Sequence, residues 1–176
     1  MKINKTKIKG VYVIDLEPRV DARGYFTRVF AKELLKKSGI NYDIVHINRS
    51  LTRTKGTIRG IHYQKKPSQE DKLVQCLKGR VYDVAVDLRF RSKTFGKWIG
   101  IELSGDNQRM ILIPKGCGHA FQTLEKDCLV EYLVSEYYTP KDERGIRYND
   151  PYFKIKWPLK KATLSEKDQN WPKFKG

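Results

Sequence analysis

The chain is written in short apolar runs set apart by Gly, Pro, Asn and Asp. Arg80 to Leu88 is the clearest of them. Strand side chains alternate with period two. Tyr82, Val84, Val86 and Leu88 therefore fall on one face, and Val81, Asp83, Ala85 and Asp87 on the other. Strands are likewise expected over Gly10 to Leu16, Ile44 to Ser50, Lys97 to Leu103, Arg109 to Ile113 and Cys128 to Ser135. Lys72 to Leu77 is a further apolar run, and Asp21 to Phe26 passes from turn chemistry into an aromatic extended piece. Ala31 to Ser38 is the one convincing helix, closed by Gly39. Gly79, Ser104-Gly105-Asp106-Asn107 and Pro114-Lys115-Gly116 supply turns. Short strands at such regular spacing predict a mainly β sandwich or barrel. The tail from Asp150, rich in aromatics and Pro, is expected to cover it with turns and short helical pieces. No repeat or linker interrupts the pattern, so one domain over residues 1–176 is expected.

Composition narrows the class. An 11% aromatic and 39% hydrophobic content belongs to a folded globule. No apolar run of about 18 residues is present to span a membrane, and Met1 to Lys7 lacks the apolar core of a signal peptide. Three cysteines, Cys76, Cys117 and Cys128, without CxxC spacing suit reduced thiols in a cytoplasm. The net charge of +16 attracts anionic partners. Its lysines are scattered, with no compact basic block and no zinc-finger or RRM signature. A phosphate-bearing small molecule therefore explains the charge better than nucleic acid does, and a solubility effect is the bland alternative.

The chemistry gathers around Gly56 to Gln64, continued to Lys72. As a strand, this stretch puts Ile58, Gly60, His62 and Gln64 on one face. Gly60 would leave space beside the imidazole for a ligand to approach the backbone. His62, Arg59 and Lys72 together suggest an anion pocket with an acid–base group at its floor. A satisfied core histidine beside a solvated arginine is the alternative.

Pro114-Lys115-Gly116-Cys117-Gly118-His119 has the P-x-G-x-x-H spacing of the second cupin motif. In metal cupins that histidine joins an H-x-H pair and a glutamate. Here position 64 is Gln64, and Lys65, Lys66 and Pro67 stand where the glutamate would follow. A metal site needs three or four converging ligands, and even with His46 the set is too thin, so no metal is expected. Such a barrel would have to run on acid–base groups. Tyr132 shares a face with Val130 and Val134, as either a catalytic hydroxyl or a core aromatic. Asp168 reads equally as a partner for His62 or as a surface charge on a short helix.

Across almost its whole length the chain resembles the dTDP-4-dehydrorhamnose 3,5-epimerase family. The resemblance is carried by Asp21-Ala22-Arg23-Gly24-Tyr25-Phe26, Arg59-Gly60-Ile61-His62-Tyr63-Gln64, Lys72-Leu73-Val74 and Asp83-Val84-Ala85-Val86-Asp87-Leu88-Arg89. It continues through Thr94-Phe95-Gly96-Lys97-Trp98, Ile113-Pro114-Lys115-Gly116, Asn149-Asp150-Pro151, Ile155-Lys156-Trp157-Pro158 and Leu164-Ser165-Glu166-Lys167-Asp168. It implies a metal-free cupin, a jelly-roll barrel (double-stranded β-helix) with a few short helices.

It also implies an isomerase without cofactor. His62 would be the general base and Asp168 the carboxylate that orients it. Lys72 would stabilise the enolate oxygen, and Tyr132 would return a proton to the opposite face. Arg23, Arg59, Asn48, His119, Tyr138 and Phe26 would bind a nucleoside-diphosphate 4-keto-6-deoxyhexose. A cytoplasmic homodimer is implied, with no nucleic acid or membrane partner. The chain departs from the family pattern at Arg28 (usually Glu), His46 (usually Gln), Leu133 (often Lys) and around His119, where F-A-H-G-F has become Cys117-Gly118-His119-Ala120-Phe121. Several of these changes lie in segments that meet the nucleotide, which leaves its base and the exact sugar open. The alternatives are an epimerase of one carbon, acting on a CDP or GDP sugar, and a non-catalytic cupin that binds sugar nucleotides.

Overall fold

The computed structural model describes residues 1–175; Gly176, the end of the expected domain span, lies outside them. The chain opens with β1 (Lys2–Lys5) and β2 (Tyr12–Asp15), then the hairpin β3 (Arg19–Asp21) and β4 (Gly24–Phe26). Helix α1 (Lys32–Lys37) precedes β5 (His46–Thr52), β6 (Ile58–Gln64), β7 (Lys72–Lys78) and β8 (Arg80–Asp87). Then come β9 (Trp98–Ser104), β10 (Arg109–Ile113), β11 (Cys117–Thr123) and β12 (Cys128–Val134). A 3₁₀ turn (Pro140–Asp142), β13 (Glu143–Gly145) and helix α2 (Glu166–Asn170) complete it.

Two antiparallel sheets face one another. One is six-stranded in the order β1-β2-β10-β7-β12-β5, and the other five-stranded in the order β13-β6-β11-β8-β9. Between them lies a core of Val74, Cys76, Ile111, Ile113 and Val130 from the first sheet and Val81, Ala85, Leu103, Cys117 and Phe121 from the second. The outer face of the six-stranded sheet (Ile14, Leu73, Met110, Leu112, Leu133) is covered by Leu35 of α1 with Ile40 and Tyr42. The outer face of the other (Val84, Val86, Ala120) is covered by Ile146, Phe153, Ile155, Trp157 and Phe174 of the tail. This is the mainly β, cupin-type architecture expected.

The central strands are thus covered on both sides: β10 and β11 are buried along almost their whole length. The alternation expected for β8 holds. Val84 and Val86 enter the outer core and Val81 and Ala85 the inner one. At α1, Gly39 adopts φ +77° one residue past the C-cap, Ser38, as a left-handed helix stop requires. All three cysteines are free and buried, and burial pushes the Cys76 and Cys117 thiols up to about 12. No helix among the described residues is long and apolar enough to cross a membrane.

One expected feature is corrected at β6. Ile58, Gly60, His62 and Gln64 do not share a face, because a bulge interrupts the ladder with β11. His119 stands opposite His62, Ala120 opposite Gly60 and Phe121 opposite Arg59. Ile61 is the extra residue and turns into the outer core with Ala120 and Ile146. The bulge resets the alternation, so Arg59 and His62, three residues apart, face the same cavity. Gly60 leaves no space for a ligand either. A Cβ there would meet Ala120 Cβ and the His119 carbonyl at 2.5 Å. Its backbone is approached by β11, not by substrate.

Candidate active site

Two adjoining clefts of about 370 and 290 Å³ share His62, Lys72 and Tyr132 in their walls. The five-stranded sheet contributes Arg59 and His62 from β6 and His119 and Phe121 from β11. The six-stranded sheet contributes Asn48 and Ser50 from β5, Lys72 from β7 and Tyr132 from β12.

Asp168 reaches this cleft although it lies 106 residues from His62. Ser165 caps α2, its hydroxyl accepting from the Asp168 backbone N–H at 3.1 Å. An acidic residue at the third helical position suits both the cap and the helix dipole. The carboxylate is buried and lies with Oδ1 2.5 Å from His62 Nε2. Burial opposes its ionisation, but the bonds from His62, Ser165 and Trp171 hold the carboxyl below the usual range. In the neutral ring, an ionised, fixed acceptor at Nε2 selects the tautomer with its proton there and makes Nδ1 the acceptor.

Across the cleft, Tyr132 has its phenol pushed up, first by burial and then by the nearby Glu70 carboxylate, with Arg59 opposing. It stays a proton donor at neutral pH. Lys72 Nζ lies 3.1 Å from Glu70 Oε1, both side chains being largely buried. Arg59 is aimed by its Nε, which donates to Thr52 Oγ1 at 3.0 Å. Tyr138 lines the larger cleft, its hydroxyl donating to Glu143 Oε2 at 2.7 Å.

Gln64 stands where a metal cupin would carry the second histidine of its pair. Its amide donates to the carbonyls of Ser68 (2.9 Å) and Tyr137 (3.1 Å) and accepts from the Thr139 N–H (2.7 Å). Its side chain is thus committed to the loop that carries Tyr138. Among the described residues, no group of three or more His, Cys, Asp or Glu is placed to share a cation. His46 lines the larger cleft and packs edge-on against Tyr137.

Eight of the ten expected site residues therefore meet here: His62, Asp168, Tyr132, Lys72, Arg59, Asn48, His119 and Tyr138. Two do not. Arg23 and Phe26 sit on the β3–β4 hairpin, both exposed, with Arg23 paired to Asp21 at 2.6 Å and Phe26 on a separate surface pocket. The hairpin is paired only with itself and neither residue lines either cleft of this chain.

Sequence reasoning also passed over Asp83. It is fully buried on β8 and lies with Oδ2 2.8 Å from His119 Nε2. The signal was present, since a carboxylate inside Tyr82 to Leu88 has to be paired if it is buried. Glu70, Glu143 and Lys167 were missed as well. Each is an ordinary surface residue by composition and gains meaning only from its neighbours.

The family profile for dTDP-4-dehydrorhamnose 3,5-epimerase matches residues 5–176. The chain belongs to that family. The dTDP-4-dehydrorhamnose 3,5-epimerase of Methanothermobacter thermautotrophicus is 39% identical over 170 residues, covering 95% of this chain and 91% of that protein. The crystal structure of the Bacillus anthracis enzyme, with TDP and PPi bound, superposes with TM-score 0.96 at 39% identity, covering 98% and 99% of the two chains. The Legionella pneumophila epimerase in complex with dTDP-4-keto-L-rhamnose gives TM-score 0.91 at 37% identity, covering 99% of both.

Proposed function

We propose that this chain epimerises dTDP-4-dehydro-6-deoxyglucose at C3 and C5, giving dTDP-4-dehydrorhamnose for deoxysugar and surface-polysaccharide synthesis. The observation that carries this reading is the division of the proton-transfer groups between the sheets. His62 stands on the five-stranded sheet, Tyr132 on the six-stranded sheet, and both face the same cleft. Inversion requires a proton to leave one face of a carbon and another to arrive on the opposite face, and a sugar between the sheets meets one group on each side.

The 4-keto group acidifies the C–H bonds beside it, so the reading needs no cofactor. His62 takes the proton, and the C–H electron pair moves into the C–C bond as the carbonyl electrons move onto O4. Lys72, a cation in a largely buried setting, stabilises that oxyanion. Tyr132 gives its phenolic proton to the opposite face as the electrons return to carbon. Solvent then restores the proton on Tyr132 and removes the one on His62. Asp168 stabilises the imidazolium that forms midway. Arg59 serves the diphosphate, with Asn48, His119 and Tyr138 shaping the sugar and nucleoside ends.

The protein we propose is one domain over residues 1–176, working as a cytoplasmic homodimer. Exposed Val20, Tyr25 and Phe26 on the hairpin, and exposed Ile47 and Leu51 on edge strand β5, support the dimer. In it, Arg23 and Phe26 would serve a second copy's cleft. Sedimentation at micromolar concentration should give twice the 20.6 kDa chain mass. A monomer would leave Arg23 and Phe26 without a role.

The function is tested by giving the purified protein dTDP-4-dehydro-6-deoxyglucose and following C3 and C5 configuration by NMR, beside CDP- and GDP-linked analogues. Inversion at both carbons of the dTDP sugar is expected. Inversion at one carbon, or preference for another nucleotide, would replace the substrate assignment. Binding without turnover would leave a sugar-nucleotide-binding cupin.

A further inference from the structure

Asp168 has a second partner besides His62. The Trp171 indole Nε1–H donates to the same oxygen, Oδ1, at 3.2 Å. The Trp171 ring also stands edge-on to the imidazole, with centroids 6.1 Å apart. It can come this close because of Gly145, which is paired in register with His62 on β13. A Cβ at Gly145 would lie 2.2 Å from Cδ2 and Cε2 of the indole. Gly145 is not among the glycines with positive φ, so its backbone does not call for glycine. The need is for room, and the occupant of the room is Trp171.

The rest of the indole's surroundings fix it in that hole. The Trp171 carbonyl accepts from Arg147 Nε at 2.9 Å, and Lys167 Nζ lies over the ring at 5.6 Å. Lys167 is in turn clamped to Glu143 on β13 at 2.6 and 2.7 Å. The short helix carrying Asp168 is thus tied to the strand beside His62 at two points, through Trp171 over Gly145 and through Lys167 on Glu143. Trp171 itself lines neither cleft.

We infer that Trp171, seated over Gly145, is a positioning residue that holds Asp168 Oδ1 on His62 Nε2, making a three-membered chain of indole, carboxylate and imidazole. The inference rests on the reading of His62 as the base. A five-residue helix near the chain end has little packing of its own to hold a carboxylate within hydrogen-bond distance of a strand. The indole supplies a directional donor, and its ring stands edge-on to the imidazole. Loss of the donor lets Asp168 take other rotamers, and misplacement by about 1 Å costs on the order of a hundredfold in rate.

The test uses the full-length protein. Trp171→Phe keeps a ring over Gly145 and removes the donor; Trp171→Ala removes both; Gly145→Ala displaces the indole while leaving residue 171 a tryptophan. With dTDP-4-dehydro-6-deoxyglucose, Trp171→Phe is expected to lower kcat roughly tenfold and leave KM near wild type, since the indole does not line the clefts. Gly145→Ala is expected to match Trp171→Ala. The double variant Gly145→Ala/Trp171→Ala is expected to be no worse than Trp171→Ala alone, because the three atoms nearest the added methyl all belong to the indole that is gone. Additive losses, or a Trp171→Phe variant with wild-type kcat, would overturn the assignment.

A second measurement needs no substrate. The carboxyl carbon of Asp168, followed by NMR against pH, is expected to titrate higher in Trp171→Phe, because a donor to its ionised form has gone. The charged or titratable groups lining its cleft are Arg59, His62, Lys72, His119, Tyr132 and Lys167, with Glu143 bonded to Lys167, and the substitution removes none of them. An unchanged Asp168 titration would overturn the inference even if the protein proved inactive on this sugar. A wild-type protein that binds the sugar without exchanging its protons would sink the proposed function, and the titration would still decide the role of Trp171.

Discussion

Two histidines stand opposite one another on β6 and β11, and each holds a carboxylate through Nε2. The pairs differ in how they are built. His119 takes Asp83 from the neighbouring strand β8, and the two side chains are 10% and 0% exposed. Both strands are fixed by a ladder running from Cys117 opposite Asp87 to Thr123 opposite Val81. His62 takes Asp168 from a short helix near the chain end, and its side chain is 30% exposed where that of Asp168 is 5%. The same two residue types thus serve different ends. A walled-in pair carried by two central strands braces the cleft. An open imidazole backed by a buried carboxylate can exchange a proton with a ligand. Exposure of the ring, not the presence of a dyad, is what singles out His62 as the proposed base.

Substitutions can break this comparison in order of size. Asp168→Asn keeps the shape and removes the charge behind the open histidine. Epimerisation is expected to fall by about 10²–10⁴-fold, checked by NMR of the product. Loss of the same size from Asp83→Asn would erase the distinction between the pairs. Tyr132→Phe removes the proposed acid across the cleft. Inversion is expected to fall roughly a hundredfold or more, while exchange with heavy water on the His62 face persists. If exchange and inversion fall together, Tyr132 is not confined to one face.

His119→Ala is expected to cost less in rate, about tenfold or below, and more in stability. It strands the Asp83 carboxylate in the core, where an unpaired buried polar group costs about 1–3 kcal/mol; urea unfolding would read it. A third buried carboxylate, Asp87, sharpens the contrast because it is purely structural. Burial opposes its ionisation, but bonds from Arg89, Ser92 and Thr94 hold it at about 2. Its folded value lies below the usual carboxylate value of about 3.9. It therefore contributes stability above about pH 4, roughly 2–3 kcal/mol, lost as pH falls from about 4 to about 2. Asp87→Asn should flatten that part of the acid-unfolding curve and leave the pH dependence of turnover alone.

Much of this was legible in the residues. Strand β8 shows its two faces through alternation, and β10 falls where its apolar run lies, because both follow period two without interruption. Strand β11 was not legible. All seven of its positions are buried, so no polar face marks it, and its first residues were read as part of the P-x-G-x-x-H motif that follows the turn at Gly116. The bulge at Ile61 is invisible for a related reason: an extra residue leaves no compositional trace and reverses every facing assignment beyond it. Local pattern could not bring Asp168 to His62 across 106 residues; only the motif resemblance anticipated a pair that the folded chain forms. Arg23 and Phe26 mark the opposite limit. Their motif was legible, yet in this chain they lie outside the cleft, and a motif does not say where the fold will carry it.

The most direct test of the account is deuterium incorporation from heavy water into dTDP-4-dehydro-6-deoxyglucose, read by NMR for the wild-type protein and His62→Ala. The account predicts exchange at both C3 and C5 in the wild type and loss of both in the variant. Exchange that survives the loss of His62 would place the base elsewhere and contradict the reading of the cleft.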